Sequence, residues 1–388
     1  MRKSIRMQQV QEPITAKVGE WIQQHPGTIP LGQGMVSYGP PFEVRKYLEI
    51  FWQDPHHFKY RGTMGIGKLV KEIREKLKND NQIETDNNGR IVVTAGANMA
   101  FVLALFAIAD PGEQIIILSP FYFNHEMAIK MAGCTPVIVE TGQDYNLLPA
   151  KIEAAITKHT RAVVTISPNN PTGAVYTKAA LIEVNEICRR QKIYHICDEA
   201  YEYFTFEEAS HFSPGSLKNS KAHTLSIFSL SKAYGFAGFR IGYMVFPENL
   251  LDSIKKIQDT ILICPPVISQ YAAIGALQAG RGYCKQKLAA IAEVREILLK
   301  ELSQHSDYFE IPHTCGAFYF FIKIKNYRDS LKLAQQLISE YGVAIIPGKA
   351  FGIEDACYAR VSYGALQKED AAEACRRLIT GIKSMVNY

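Results

Sequence analysis

The chain has 388 residues, of which 47% are hydrophobic, so it is long enough to bury more than one core. The formal net charge is only +5, and lysine and arginine are scattered along the chain, which argues against a nucleic-acid-binding surface. No apolar run reaches the roughly 20 residues that a membrane-spanning helix needs, so we expect no membrane partner.

The eight cysteines favour a reducing compartment. None forms a C-x-x-C pair, and most lie in apolar surroundings, which is typical of buried free thiols. The basic start MRKSIRMQQVQEP is not followed by the apolar segment of a secretory signal. We therefore expect a cytoplasmic protein.

Short apolar runs from Ile91 onward predict a large sheet. Residues 1–45 are rich in glycine and proline and read as irregular, and GKLVKEIREKLK then has the period of an amphipathic helix. Seven runs follow with helical stretches between them: IVVT, QIIILS, TPVIVE, RAVVTIS, IYHICD, TLSIFS and IGYMVF. Several are too uniformly apolar for half-exposed strands. The pattern predicts an α/β fold with a mostly parallel seven-stranded sheet sandwiched by helices.

The pattern changes after about residue 285. A long helix, KQKLAAIAEVREILLKELSQ, leads into the β segment GAFYFFIKI and two more helices. We expect a large domain at 46–285 and a smaller α+β domain built from 1–45 and 286–388.

Three polar clusters follow predicted strands: SPNNPTG, DEAYEYF and FSLSKAYGFAGFRIGY. Ligands of open α/β sheets bind at such strand ends. Taken alone, Asp198 could cap a helix and Lys232 could be a surface lysine. Together they predict a site with an amine nucleophile and a buried anion, since a buried carboxylate needs a cation or a donor. A lysine can form a Schiff base with an aldehyde, and pyridoxal phosphate needs such a lysine and an acid at its ring nitrogen.

With these motifs the sequence resembles the class I/II aminotransferases of fold type I over nearly its whole length. The resemblance implies pyridoxal 5'-phosphate as cofactor, with Lys232 as its Schiff-base lysine and Asp198 as the partner of its pyridine nitrogen. It makes Asn170 and Tyr201 donors to the phenolic oxygen of the ring. It also implies phosphate ligands on both sides of the lysine: Ser229, Ser231 and Arg240.

Other residues of the cofactor site follow from the same resemblance. The backbone N–H groups of Ala97 and Asn98, where TAGANMA opens a helix, suit a phosphate. Tyr122 in PFYFNHE is similar to the aromatic residue that stacks on the pyridine ring, although a core tyrosine is the alternative. His125 matches a histidine that hydrogen-bonds the ring-nitrogen aspartate, with a helix-capping histidine as the alternative.

The resemblance also implies three substrate-binding residues and one cofactor contact from a neighbouring subunit. Arg360 in YARVSYG resembles the arginine that clamps the substrate α-carboxylate, a role that suits a guanidinium fork. Gly34 belongs to a GQG segment that resembles the substrate-side glycine loop, and Asn170 is expected to contact substrate as well. Tyr60 in FKYRGTMG matches a tyrosine that reaches the phosphate of the neighbouring subunit, which implies a homodimer with shared active sites.

The activity implied by the resemblance is transamination, in which an amino acid gives its amino group to a 2-oxo acid. The sequence looks closest to plant-type aromatic/methionine aminotransferases in VTAGANMAF, PFYFN, AYEYF and KIQDTILICPPVISQ. An aspartate aminotransferase is the runner-up. Other fold-type-I chemistries, such as a C–S lyase, a decarboxylase or an aminocyclopropane-carboxylate synthase, share the lysine. A non-enzymatic ligand-sensing domain of this fold is a further alternative.

The expected specificity for the substrate side chain follows from the absence, in this sequence, of the cations that bind a distal carboxylate in relatives. Relatives that take dicarboxylates use an arginine in the segment that here reads DTILICPPVISQ, or a lysine where this chain has Asn98. An unpaired carboxylate in a closed site would lose its hydration, whereas an aromatic or thioether side chain would gain by burial. We therefore expect an aromatic amino acid or methionine to be a better amino donor than aspartate.

Overall fold

The computed structural model describes residue 2 and residues 4–85 and 90–386 of the chain. The strands are, in chain order, β1 (Ile29–Pro30), β2 (Ile91–Thr94), β3 (Gln114–Ser119), β4 (Thr135–Glu140), β5 (Thr160–Ile166), β6 (Tyr194–Asp198), β7 (Thr224–Ser229), β8 (Gly242–Val245), β9 (Phe309–Glu310), β10 (Tyr319–Ile324), β11 (Val343–Ala344), β12 (Ile346–Pro347) and β13 (Tyr358–Ser362).

The α-helices are α1 (Ile5–Gln8), α2 (Ile14–Gln24), α3 (Glu43–Gln53), α4 (Gly67–Asn81), α5 (Ala97–Ile108), α6 (Phe123–Met131), α7 (Pro149–Ala154), α8 (Lys178–Arg190), α9 (Leu251–Ile261), α10 (Val267–Ser303), α11 (Ser330–Tyr341) and α12 (Lys368–Val386). Short 3-10 turns lie at Pro55–Phe58, Pro214–Ser216, Ala237–Phe239, Glu248–Leu250 and Gly348–Phe351. Within the described ranges, no helix combines the length and the apolar character needed to cross a membrane.

The seven predicted runs form one sheet, in the order β2-β8-β7-β6-β5-β3-β4. Every strand in it is parallel to the others except β8, which pairs antiparallel with β2 and β7. This confirms the predicted mostly parallel sheet. Uniformly apolar strands suit it because both of its faces are covered.

Helices cover both faces of the large sheet. On one face, strand residues such as Val92 and Ile227 pack with residues of α5, α6 and α9. On the other face, Val93 packs in a core that includes α4 and α10, and Val163 packs against α8. Adjacent residues of β2 therefore point into opposite cores, as the two-residue period of a strand requires.

A second sheet follows the long helix α10. Its strands are antiparallel, in the order β12-β13-β10-β9. Helix α10 begins well before the predicted helix and kinks at Gly280, where φ is 64°. The N-terminal segment joins this part of the molecule, since Ile29 of β1 pairs with Val343 of β11. The proposed boundary at residue 285 falls inside α10, and the division into two domains stays a prediction.

The reading of residues 1–45 as irregular was wrong, because α2 and the start of α3 lie there. Both helices begin without a side-chain cap, at Pro13 and Phe42, so the sequence offers no capping signal at either start. Helix α2 is held by tertiary packing instead. Its Ile14 and Val18 are buried in a cluster with Phe321 and Phe351.

Candidate active site

A cavity opens at the carboxyl ends of the parallel strands of the large sheet. Most of the predicted site residues line it: Ala97, Asn98, Tyr122, Asn170, Asp198, Tyr201, Ser229, Ser231, Lys232 and Arg240. They follow β2, β3, β5, β6 and β7 or end one of these strands, and Arg240 precedes the antiparallel β8. Sheet topology therefore brings together segments that are far apart in the chain, at the edge where open α/β sheets bind ligands.

Asp198 ends β6 and is buried beside His125. Its Oδ2 lies 3.1 Å from the Nε2 of His125, and its Oδ1 accepts a hydrogen bond from the backbone N–H of Ala200 at 3.1 Å. The imidazole of His125 stacks on the ring of Phe101, with ring centroids 3.9 Å apart. These contacts hold a carboxylate at a fixed place in the cavity wall, and they place His125 behind Asp198.

One end of the cavity has the donors of an anion site. Helix α5 begins at Ala97, and the first N–H groups of a helix have no partner within the helix. Ser231 Oγ accepts a hydrogen bond from Arg240 Nη1 at 3.4 Å, and Ser229 Oγ accepts one from the backbone N–H of Ser231 at 3.2 Å. Helix N-termini, hydroxyls and a guanidinium form a donor set typical of phosphate sites.

Gly96 shapes this anion site by having no side chain. Its φ is 84°, a conformation that favours glycine, and it immediately precedes α5. A Cβ atom there would overlap the guanidinium of Arg240. The arginine can therefore approach the start of the helix only because this residue is glycine.

Lys232 reaches from beyond β7 into the middle of the cavity. Its Nζ donates a hydrogen bond to the carbonyl oxygen of Gly34. Burial, together with the charges of Arg360 and Arg240, lowers the pKa of Lys232 from 10.5 to about 8, while the charge of Asp198 opposes the shift. The amine is thus partly neutral near neutral pH, the form in which an amine is a nucleophile.

Arg360 comes from β13 of the second sheet and lies beside the cavity. Its Nη1 donates to Asn170 Oδ1 at 2.8 Å, and its Nη2 donates to the carbonyl oxygen of Gly32 at 2.7 Å. Within the described residues its buried Nε has no hydrogen-bond partner. A buried guanidinium with a free N–H can bind a carboxylate.

Tyr319 is a site residue that the sequence analysis missed. Its hydroxyl lies 2.7 Å from the hydroxyl of Tyr201, and the Nδ2 of Asn170 donates to Tyr201 at 3.4 Å. A Cβ atom at Gly34 would lie 2.7 Å from the Tyr319 hydroxyl, so this part of the glycine loop also needs the missing side chain. Tyr319 is the first residue of β10, and the sequence analysis interpreted GAFYFFIKI only as a β segment.

Tyr60 is the predicted site residue that lies away from the cavity. Its side chain is 79% exposed, just after the turn Pro55–Phe58. Within one chain it contributes nothing to the site described above.

The shifted pKa of Lys232 predicts selective labelling by an amine-reactive reagent once the protein is freed of cofactor. About half of the Lys232 amine should be neutral at pH 8, so its labelling rate should level off above that pH. Lys368 is a matched control, since its hydrogen bond to Glu293 raises its pKa and its labelling should keep rising above pH 10.5. Peptide mapping by mass spectrometry measures both rates. Parallel profiles for the two lysines would contradict the assigned environment of Lys232.

Comparison with known proteins agrees with this geometry. The family model described as aminotransferase class I and II matches residues 26–378. An aromatic aminotransferase of Arabidopsis thaliana is 32% identical over 386 residues, covering 97% of this chain and 95% of the relative. A probable aspartate/prephenate aminotransferase of Aquifex aeolicus is 32% identical over 374 residues, covering 94% of this chain and 93% of the relative.

A solved structure of Thermus thermophilus aspartate aminotransferase with maleate superimposes with a TM-score of 0.91 at 29% identity, covering 98% of this chain and 100% of that chain. Class I and II aminotransferases depend on pyridoxal phosphate. The cavity fits this cofactor, because it places an anion site, an amine of lowered pKa and a buried carboxylate around one space. The chain belongs to the class I and II aminotransferases and is a pyridoxal-phosphate-dependent transaminase.

Proposed function

We propose that this transaminase takes its amino group from an aromatic amino acid or methionine and passes it to a 2-oxo acid. The observation that carries the proposal is the aromatic surrounding of Arg360. Its guanidinium lies over the ring of Tyr319, 4.5 Å from the centroid, and 5.2 Å from the centroid of Phe351. A substrate held by its α-carboxylate at Arg360 would meet apolar surface on this side.

The described part of the cavity wall offers no second cation for a distal carboxylate. Among the described residues that line the cavity, the cations are Lys232 and Arg240. Lys232 is committed to the cofactor and Arg240 to its phosphate. Asn98 lines the cavity at the position where a lysine would serve a dicarboxylate, and the segment 259–270 contains neither arginine nor lysine.

Energetics favour an apolar side chain in such a site. Burial of a large apolar side chain contributes roughly 1.5–3 kcal/mol, whereas a buried carboxylate without a partner loses its hydration. The names of the relatives are compatible with either an aromatic or an acidic amino donor, since one relative is named an aromatic and another an aspartate/prephenate aminotransferase. Aspartate is therefore the second candidate donor.

The proposed roles of the residues follow from their contacts. When bound, pyridoxal phosphate supplies an aldehyde for the amino group and a ring that accepts electrons. Lys232, with a pKa of about 8, can take a proton from the substrate Cα and return it elsewhere. Asp198 would hold the pyridine nitrogen of the cofactor, where a negative charge would favour the protonated ring. Arg360 clamps the substrate carboxylate and orients Asn170.

Tyr201 and Tyr319 form a relay of hydroxyls. Burial raises the pKa of Tyr201 well above its usual value, so Tyr201 stays protonated and can donate a hydrogen bond. If the Tyr319 hydroxyl donates its hydrogen bond to Tyr201, the Tyr201 hydroxyl is free to donate to the phenolic oxygen of the cofactor. Such chains of hydrogen bonds strengthen one another in a buried site. We propose that Tyr319 positions Tyr201 and polarises its hydroxyl.

We also propose a homodimer in which Tyr60 completes the site of the second copy. Tyr60 is one of four exposed aromatic side chains in the stretch 42–60, with Phe42 (77% exposed), Trp52 (66%) and Phe58 (57%). Large apolar side chains left exposed in one stretch of chain are typical of interaction surfaces. Since Tyr60 is not used within its own chain, a partner site is the role that remains for it.

A cytoplasmic location is our proposal as well. All eight cysteines are free, and seven of them are buried. A reducing compartment keeps thiols in this state.

Steady-state kinetics with tryptophan, phenylalanine, methionine and aspartate test the proposed donor. We expect at least one of the first three to exceed aspartate about tenfold or more in kcat/KM, which requires only about 1.4 kcal/mol of differential binding. Asn98→Lys should narrow this gap by adding a cation, and Asn98→Gln is the matched neutral control. A preference for aspartate in the unmodified enzyme would overturn the proposed substrate. Arg61 of the partner subunit would then be the candidate cation for the distal carboxylate of aspartate.

Mixed dimers test the sharing of sites. In a homodimer of each variant, Tyr60→Ala should weaken and Lys232→Ala should abolish the activity of both proposed sites. A mixed dimer of Lys232→Ala with a Tyr60→Ala variant should carry one intact site, so activity should reappear when subunits exchange. Size-exclusion chromatography with differently tagged subunits confirms the exchange. Exchange without recovered activity would rule out a site that needs Tyr60 from the second copy.

Tyr319→Phe tests the hydroxyl relay by spectroscopy. Without the Tyr319 hydroxyl, Tyr201 should donate more weakly to the cofactor, so the pH midpoint of the bound cofactor's visible absorbance should rise by up to about one unit. Tyr176→Phe removes a buried hydroxyl that pairs with Asn169 at 3.0 Å and should leave the midpoint unchanged. An unshifted midpoint in Tyr319→Phe would refute the positioning role.

A further inference from the structure

We infer that Glu207, His313 and Cys315 form a binding site for a divalent transition-metal ion, with Zn²⁺ as the favoured ion. Each of the three residues offers one ligand atom, and the three atoms face one another. His313 Nε2 lies 3.1 Å from Glu207 Oε2, Cys315 Sγ lies 3.3 Å from the same oxygen, and Cys315 Sγ lies 3.4 Å from His313 Nε2.

These separations match one triangular face of a zinc tetrahedron. With zinc–ligand bonds of about 2.0–2.3 Å, neighbouring ligand atoms lie about 3.3–3.6 Å apart. The measured separations are within a few tenths of an ångström of that range. A thiolate, an imidazole and a carboxylate are together the donors that zinc prefers over magnesium or calcium.

Backbone hydrogen bonds hold the segments that carry two of the three ligands, Glu207 and Cys315. The N–H of Phe206 donates to the carbonyl oxygen of Cys315 at 2.8 Å, and the N–H of Ala317 donates to that of Phe204 at 2.9 Å. Glu207 thus follows one segment of a short ladder, and Cys315 lies on the other. The ladder sets the distance between the two ligands before any ion binds.

Arg295 orients the carboxylate and leaves one oxygen for the ion. Its Nη2 lies 2.9 Å from Glu207 Oε1 and also donates to the carbonyl oxygen of Thr314 at 2.9 Å. Glu207 Oε2 is the atom that faces the histidine and the cysteine. Partners of this kind behind a ligand are usual in metal sites.

The charges near the site also suit a divalent cation. Arg295 pairs through Nη1 with Glu296 Oε1 at 2.9 Å, so its positive charge has its own counter-ion. A divalent ion displaces the thiol proton of Cys315 when it binds. The formal charges of Glu207, the Cys315 thiolate, Arg295, Glu296 and the ion then cancel. The exposed His313 leaves room for water as the fourth ligand.

Two chain segments connect the metal site to the catalytic cavity. The segment that ends at Glu207 begins with Tyr201, and the segment that holds Cys315 continues into Tyr319. The hydroxyls of these two tyrosines are 2.7 Å apart at the cavity. An ion bound at the other end would tie the two segments together a second time.

Zinc titration of the metal-free holoenzyme against a chromophoric zinc chelator tests the site. We expect about one equivalent of Zn²⁺ per chain. Cys315→Ser and His313→Gln should each weaken its affinity by about tenfold or more. The matched control is His159→Gln, which removes an exposed histidine far from the cluster in sequence and should bind as the unmodified protein does. The cofactor absorbance verifies that every variant is folded.

Protection of the thiol is an independent measurement on the unmodified protein. Zn²⁺ should slow the alkylation of Cys315, mapped by mass spectrometry, and the chelator should restore its rate. Equal zinc affinity in Cys315→Ser and the unmodified protein, or alkylation of Cys315 at an unchanged rate, would overturn the inference. Zinc held by the cofactor phosphate alone would give the first of these results.

Discussion

An amine held among other cations at the edge of a sheet is the constraint around which this molecule is organised. Lys232 is enclosed by protein and lies near two guanidinium groups, those of Arg360 and Arg240, and its pKa falls to about 8 as a result. A charged amine would be costly there, which keeps part of it neutral and reactive. The carboxylate of Asp198 opposes the shift. Its own position depends on His125 and on the end of β6.

The proposed substrate side of the cavity depends on contact between the two sheets. Arg360 belongs to the antiparallel sheet, yet its Nη1 binds Asn170 in the loop after β5 of the large sheet. Tyr319 of the antiparallel sheet likewise meets Tyr201, which follows β6. Buried polar groups need such partners, so the two sheets cannot separate here without leaving donors and acceptors unpaired. The geometry of the cavity is therefore a property of both sheets together.

Two glycines shape the cavity because they have no side chain. Gly34 leaves room for the Tyr319 hydroxyl, and Gly96 leaves room for the Arg240 guanidinium. Both glycines lie where a polar group must come close to backbone. The opposite case is the stretch 42–60, where the large side chains of Phe42, Trp52, Phe58 and Tyr60 are exposed.

The sequence by itself determined the large sheet and most of the cavity. The seven apolar runs became its seven strands, and strands covered on both faces, such as β2 and β5, are apolar along most of their length. The polar residues that follow those runs met at one edge, since parallel strands bring their carboxyl ends together. Lys232, Asp198 and Asn170 could be found in this way from local pattern and family resemblance.

Tertiary structure alone decided the features that depend on distant contacts. Helices α2 and α3 lack capping signals and are stabilised by packing, so composition misled the reading of residues 1–45. The pairing of Tyr319 with Tyr201 joins residues 118 apart in the chain. Glu207 and Cys315 are 108 apart and carry no shared spacing motif, because a ladder between two separate segments brings them together. Local sequence encodes strand and helix periods, but it carries no record of which loops become neighbours after folding.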